Sequence, residues 1–175
     1  MKQKGFTIIE MMVIGGIFVI VAAMVLVNFK KGENNTAFLL ATEEVASNIR
    51  KTQTQTLTGS TQEEIVASGG FGLYFDIGAA DQYVIFRDDG NQIYESGNDT
   101  IIETMILPPN ITISSLSNDP LTIVFQPPKP TIYINGGLID DSADIYLTRE
   151  NIDDKQGHIN INRITGRITS ELESL

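Results

Sequence analysis

The residue with the most unusual chemistry in this sequence is Glu10, a carboxylate inside an apolar segment. From Phe6 to Val27 the sequence reads FTIIEMMVIGGIFVIVAAMVLV, in which only Thr7 and Glu10 are polar. A carboxylate there either reaches the aqueous interface, becomes protonated or meets a positive charge. A cut between Gly5 and Phe6 would create an ammonium group one helical turn from Glu10. The ammonium of one helix could then pair with Glu10 of a staggered neighbour and set the register between them.

The segment that carries Glu10 is long enough to cross a bilayer as one helix. A secretory signal would have a shorter apolar region with a small-residue cleavage site after it, which this sequence lacks. A buried core helix would also be shorter, and here the chain turns polar from Asn28 onward. Lys2 and Lys4 indicate a cytoplasmic N-terminus, although Lys30 and Lys31 flank the other end. We therefore predict a membrane anchor.

The helical pattern continues beyond the apolar segment as a polar helix with one narrow apolar stripe. The first proline does not occur until Pro108. We predict a helix over residues 6–57, with its transmembrane part at 6–29 and a leader peptide at 1–5. Because the stripe has three- and four-residue spacing, we expect another element to pack on it. Its members are Phe38, Ala41, Val45, Ile49 and Thr52.

The second half of the sequence is rich in short β-type runs. Residues 58–70 are polar and rich in Gly and Ser, which predicts a linking loop. Residues 71–175 then form a predicted β-domain, with alternation that turns Ile159 and Ile161 inward. Turn residues between the runs, such as Asp88 to Asn91 and Thr165-Gly166, predict hairpins. The predicted strands are FGLYFDI, QYVIFRD, NQIYES, TIIETMIL, NITISSL, LTIVFQ, PTIYIN, ADIYLT, HININ and GRITS.

The predicted fold class is therefore α+β. A very long N-terminal helix, with a transmembrane half and an amphipathic half, packs against a C-terminal domain of one antiparallel sheet or two. The net charge of −10 argues against a nucleic-acid-binding surface, because phosphate affinity comes mainly from clustered Lys and Arg. The chain has no cysteine, so it carries neither disulfides nor thiolate metal sites. Few soluble enzymes have this organisation.

The segment Lys4 to Glu10, KGFTIIE, with the apolar run after it, resembles the processing motif of type IV prepilins and type II secretion pseudopilins. The resemblance implies that a prepilin peptidase cuts after Gly5 and that the new N-terminal residue, Phe6, is N-methylated. It further implies that Glu10 aligns subunits in a helical filament. The implied partners are the peptidase, other pilin or pseudopilin subunits, a cytoplasmic-membrane assembly platform, and membrane lipid before assembly.

The end of the chain resembles a narrower group within that family. The sequence ININRITGRI, ending at Ile168, is similar to the last hairpin of GspH/FimT-type minor pilins. Two departures matter. Many pilins have a proline in the membrane helix, where this chain offers only Gly15-Gly16. Some GspH/FimT-type subunits bind DNA through C-terminal arginines, but here acidic residues outweigh Arg163 and Arg167, which argues against DNA as a partner.

No catalytic, cofactor or metal site is predicted. His158 is the only histidine and lies in an apparent strand, so a structural role is favoured over a metal site or a catalytic triad. Three acidic groups invite comparison with calcium loops, but none has the alternating ligands and central glycine of one, so solvated turns are favoured. These groups are Asp88-Asp89, Asp140-Asp141 with Asp144, and Asp153-Asp154.

The sequence thus predicts a structural subunit and not an enzyme. The leading hypothesis is a minor pilin of a type IV pilus, and the second is a minor pseudopilin of a type II secretion system. A third, from another class, is a membrane-anchored surface β-domain that binds a partner and never polymerises. The first two place the chain in the cytoplasmic membrane, single-pass with the β-domain outside, and later in a cell-surface pilus or a periplasmic pseudopilus.

Overall fold

The computed structural model describes residues 7–58, 69–129, 131–150 and 152–175. The predicted leader, and with it Gly5 and Phe6, lies outside the described residues, as does most of the predicted linking loop. By its internal contacts the chain divides into two compact units, Met1–Ala37 and Phe38–Leu175. The helix α1 (Ile8–Thr58) contributes residues to both units.

The first unit contains the apolar part of α1. Its stretch Ile8–Leu26, 19 residues, is long and apolar enough to cross a membrane. None of this stretch is buried against other described residues. An N-terminal apolar helix is thereby confirmed, and its length and composition fit a membrane anchor or a signal sequence.

Among its described residues the second unit contains nine strands, all paired antiparallel. The α+β class is confirmed, and the domain has two sheets. The five-stranded sheet has the order β3-β2-β1-β5-β6 and the four-stranded sheet the order β4-β7-β8-β9. The strands are β1 (Phe71–Phe75), β2 (Gln82–Arg87), β3 (Thr100–Ile106), β4 (Ile111–Leu116), β5 (Leu121–Gln126), β6 (Thr131–Ile134), β7 (Ser142–Arg149), β8 (Ile152–Asn162) and β9 (Ile168–Ser174).

The apolar stripe of α1 is the helical side of this unit's core. All five residues predicted for the stripe are buried, from Phe38 to Thr52. The strands contribute mainly β-branched and aromatic side chains, each stabilising the fold by about 1.5–3 kcal/mol on burial. The predicted inward alternation in β8 is confirmed, since both Ile159 and Ile161 are fully buried.

Polar contacts from α1 reach both sheets. Asn48 Nδ2 donates a hydrogen bond to the Tyr83 hydroxyl on β2 at 2.8 Å. Arg50 Nη2 donates to the carbonyl of Ile168, the first residue of β9, at 3.1 Å. Gln53 Nε2 donates to the Gly166 carbonyl at 3.1 Å. The predicted Thr165-Gly166 turn therefore forms and is held directly by the helix.

One predicted strand, NQIYES at residues 91–96, is wrong. Side chains before and at its start accept hydrogen bonds from backbone N–H groups that a strand would need for its ladder. Asp88 accepts from the N–H of Gln92 at 3.0 Å, and Asn91 Oδ1 accepts from the N–H of Ile93 at 2.9 Å. Gln92 also has a positive φ of 64°. The connection between β2 and β3 is consequently a long loop and not a tight hairpin.

Candidate functional site

Glu10 is the predicted site residue that the structure describes, and it lies in the first turn of α1. Its Oε2 accepts hydrogen bonds from the backbone N–H and the hydroxyl of Thr7, both at 2.9 Å. Thr7 Oγ1 in turn accepts from the N–H of Glu10 at 3.2 Å. This reciprocal pair is a capping box, which satisfies two of the free N–H groups at a helix start. Glu10 therefore has a role inside its own helix.

The surroundings of Glu10 are apolar and open. Ile8, Ile9 and Met11 are between 62% and 83% exposed, and the rest of the stretch to Leu26 is also exposed. A Cβ added at Gly15 or Gly16 would meet no atom within 4 Å. Within the described part of the chain, no basic group pairs with Glu10. The carboxylate thus stands at the end of a large apolar surface, and Thr7 is its one polar partner among residues 7–58 and the other described ranges.

A second cluster of polar groups lies on the outer face of the four-stranded sheet, around His158. The register places His158 on β8 opposite Tyr146 on β7 and Glu171 on β9. Its Nε2 is 2.8 Å from Asp144 Oδ1, and its Nδ1 is 2.7 Å from Glu173 Oε1. The Tyr146 ring stacks on the imidazole with centroids 4.7 Å apart and planes 9° apart. Both ring nitrogens therefore face carboxylates.

The two carboxylates shift the protonation of the imidazole. Partial burial alone would lower the pKa of His158, but the hydrogen bonds to Asp144 and Glu173, with their charges, outweigh burial and raise it. Gln156 donates a hydrogen bond to Glu173 Oε2, and this bond together with His158 lowers the pKa of Glu173. His158 thus has a set of polar partners that the sequence did not suggest.

The three predicted acidic turns have different outcomes, and Asp153-Asp154 lies in strand β8 and not in a turn. Asp88 is buried, and its carboxylate accepts from the N–H groups of Gly90 and Gln92, so it is not a solvated turn residue. Burial, the largest effect, raises its pKa. Arg163 binds the second group, donating to the Asp140 carbonyl at 2.7 Å and pairing with the Asp141 carboxylate at 3.2 Å.

Asp144, which the sequence grouped with the second acidic turn, instead belongs to the His158 cluster. The signal for that cluster was the alternation within the predicted strands. Asp144 and Tyr146 share one face of β7, while Glu171 and Glu173 share one face of β9. The sequence could not supply the register that brings these two faces to His158.

Comparisons of this chain with protein-family models, with curated proteins and with solved structures give no match.

Proposed function

We propose that this chain is a structural subunit, a minor pilin or pseudopilin, of a type IV pilus-like filament. A prepilin peptidase cuts between Gly5 and Phe6, Phe6 is methylated, and α1 moves from the membrane into the filament core. The chain is then a filament component and not an enzyme. The observation that carries the proposal is the apolar surface of Ile8–Leu26, no part of which is buried within the part of the chain that the structure describes.

That surface needs a partner because it covers the whole circumference of the helix. Ile8 is 83% exposed, Phe18 75% and Leu26 68%, and exposed residues occupy every position between them. A helix lying flat on a membrane would keep one polar face, which this stretch lacks. Helices that are apolar on all sides are surrounded by lipid or by other helices. Storage in a bilayer followed by packing among subunits provides both environments in turn.

Glu10 supplies the register in this proposal. Its carboxylate has no positive partner among the described residues, and an unpaired charge among packed apolar helices is strongly unfavourable. The ammonium group that processing creates on Phe6 of a neighbouring subunit would neutralise it.

The chain would occupy two locations in sequence. It is first a single-pass protein of the cytoplasmic membrane with the β-domain outside the cytoplasm, where peptidase and assembly platform act on it. It then becomes part of a cell-surface pilus or a periplasmic pseudopilus of a type II secretion system. Neighbouring genes separate these two forms of the proposal, because a retraction ATPase accompanies a pilus, and a secretin with a secretion ATPase accompanies the secretion system.

The capping box favours a second candidate function, a membrane-anchored β-domain that binds a partner and does not polymerise. Thr7 accounts for the position of Glu10 without any second subunit. In that case Glu10 begins the helix and does nothing more. The N-terminus would remain uncut.

Three variants at the capping box separate the two roles of Glu10. Gln serves at the third position of a capping box, so Glu10→Gln keeps the cap and removes the charge. Glu10→Ala removes both, and the matched control Thr7→Ala breaks the cap while it keeps the carboxylate. Each is expressed with an active prepilin peptidase, processing is read by intact mass, and the subunit is quantified in sheared filaments and in membranes.

We expect all three variants to be processed. Glu10→Gln and Glu10→Ala should each lower the amount in filaments by at least about tenfold, because each leaves the Phe6 ammonium unpaired. Thr7→Ala should assemble nearly as the unmodified chain does. Normal assembly of Glu10→Gln, with failure of Thr7→Ala, would reduce Glu10 to a helix cap and contradict the alignment role.

A further inference from the structure

The outer face of the four-stranded sheet brings together one imidazole and two carboxylates that could ligate a single ion. His158 lies directly opposite Glu171 on the neighbouring strand, and Glu173 follows two residues later on the same face. One ligand atom from each of the three residues lies within 4.8 Å of the other two. Because β8 and β9 are paired in register over seven residues, the backbone fixes this spacing.

The imidazole is oriented so that Nδ1, which lies 2.7 Å from Glu173 Oε1, is the nitrogen that an ion would bind once its proton leaves. Nε2 lies 2.8 Å from Asp144 Oδ1, and that same oxygen accepts a hydrogen bond from Asn160 Nδ2 at 2.8 Å. Stacking on Tyr146 fixes the plane of the ring. Metal-binding histidines characteristically donate their second ring N–H to a carboxylate, which holds the tautomer and directs the other nitrogen at the metal. Here that other nitrogen, Nδ1, faces β9.

The two glutamates on β9 differ in a way that leaves room for a ligand. The Glu173 carboxylate is positioned by Gln156, which donates a hydrogen bond to its Oε2 at 3.1 Å. Its other oxygen, Oε1, faces Nδ1 of His158. Glu171 is exposed, and its carboxylate makes neither a hydrogen bond nor an ion pair with any residue in the ranges that the structure describes. Two carboxylates thus stand side by side next to Nδ1, and one of them is unused.

We propose that His158, Glu171 and Glu173 bind one divalent transition-metal ion, through Nδ1 and a carboxylate oxygen from each glutamate. One imidazole with two carboxylates suits borderline ions such as Zn²⁺, whereas Ca²⁺ and Mg²⁺ take all-oxygen sites with more ligands. Three protein ligands leave a position for water. The metal takes the place of the Nδ1 proton, which passes to solvent. This proposal does not depend on the filament function, since it involves only the β-domain.

The test is a titration of the full-length chain, stripped of metal and held in detergent micelles, with Zn²⁺ alone. Because the sequence has one histidine, every imidazole signal in the NMR spectrum belongs to His158. We expect the Nδ1 resonance to move to its metal-bound position and to saturate at one equivalent of Zn²⁺, with the Nε2 proton retained. The same concentration of Ca²⁺ should leave the signals in place.

Two matched variants decide which carboxylate matters. Glu171→Gln removes the unused ligand without breaking a contact, so folding, checked by tyrosine circular dichroism, should be unchanged while Zn²⁺ affinity falls at least about tenfold. Glu103→Gln removes the same charge from an exposed position on β3, in the other sheet, and should bind Zn²⁺ normally. The proposal would be overturned if the imidazole signals did not move in excess Zn²⁺, or if they moved at the same Zn²⁺ concentration in Glu171→Gln. His158 would then be an ion-pair residue alone.

Discussion

Replacing Gly157 by alanine should destabilise the β-domain, although the same change in an open strand would be neutral or stabilising. Gly157 lies in β8, and α1 passes directly over it. A methyl group there would overlap Thr42 Oγ1 and lie 3.2 Å from Thr42 Cγ2 and 3.3 Å from Leu147 Cβ. The Thr42 side chain cannot simply rotate away, because it is buried, β-branched and donates its hydroxyl to the Phe38 carbonyl at 3.0 Å.

The expected size follows from these contacts. Alanine lowers the conformational entropy of the unfolded chain, which by itself would stabilise the fold by about 0.4–1 kcal/mol. Overpacking a filled core costs about 1–3 kcal/mol. The overlap must be relieved by moving α1 or β8, so the second effect prevails. We expect a net loss of about 1–2 kcal/mol in the free energy of unfolding, which lowers the melting temperature by roughly 3–10 °C in a domain of this size.

The assay is thermal and urea unfolding of the full chain in micelles, followed by near-ultraviolet circular dichroism of the five tyrosines, which all lie in the β-domain. Thr42→Ala removes the overlapping Oγ1 and the closely placed Cγ2, so Gly157→Ala should cost at least about 1 kcal/mol less in that background. Gly97→Ala, where the new methyl meets no atom within 4 Å, is the control. Stabilisation by Gly157→Ala, or simple additivity with Thr42→Ala, would refute the packing of α1 on β8.

Two further predictions concern the same domain. Burial raises the pKa of Tyr83 to about 12, so the folded state favours the neutral phenol. This preference contributes on the order of 2–3 kcal/mol to the free energy of unfolding. The contribution is complete below about pH 10 and is lost as the pH rises towards 12. Urea unfolding across this range should show the loss in the parent chain and a smaller one in Tyr83→Phe; equal losses would count against the buried hydroxyl. Asp88→Ala should lower the free energy of unfolding by about 1–3 kcal/mol, because it leaves the N–H groups of Gly90 and Gln92 without their acceptor. The exposed Asp89→Ala is its control in the same denaturation experiment, and equal costs would show that the buried carboxylate does not organise the loop.

Local periodicity was enough to predict much of the fold. The spacing from Phe38 to Thr52 identified the buried face of the helix, and the alternation at Ile159 and Ile161 identified the inner face of β8. These patterns are informative because burial repeats at the period of the element. The same reasoning failed at residues 91–96, where the side chains of Asp88 and Asn91 accept hydrogen bonds from backbone N–H groups that a strand would use.

The sites were less predictable because they depend on register and on partners. The neighbours of His158 come from two other strands, and only the pairing of β7, β8 and β9 shows that Asp144 and Glu173 reach the same ring. The sequence offered Asp144 as part of an acidic turn instead. At Glu10 the missed signal was local: Thr7 and Glu10 have the spacing of a capping box, which the apolar run after them obscured.

The most direct test of the filament account is the intact mass and N-terminal sequence of the protein purified from its native membranes, with and without an active prepilin peptidase. The account predicts a chain that begins at Phe6 and carries one added methyl group when the peptidase is active, and an uncut chain when it is absent. A chain that still begins at Met1 in the presence of active peptidase would contradict the account and favour the anchored β-domain.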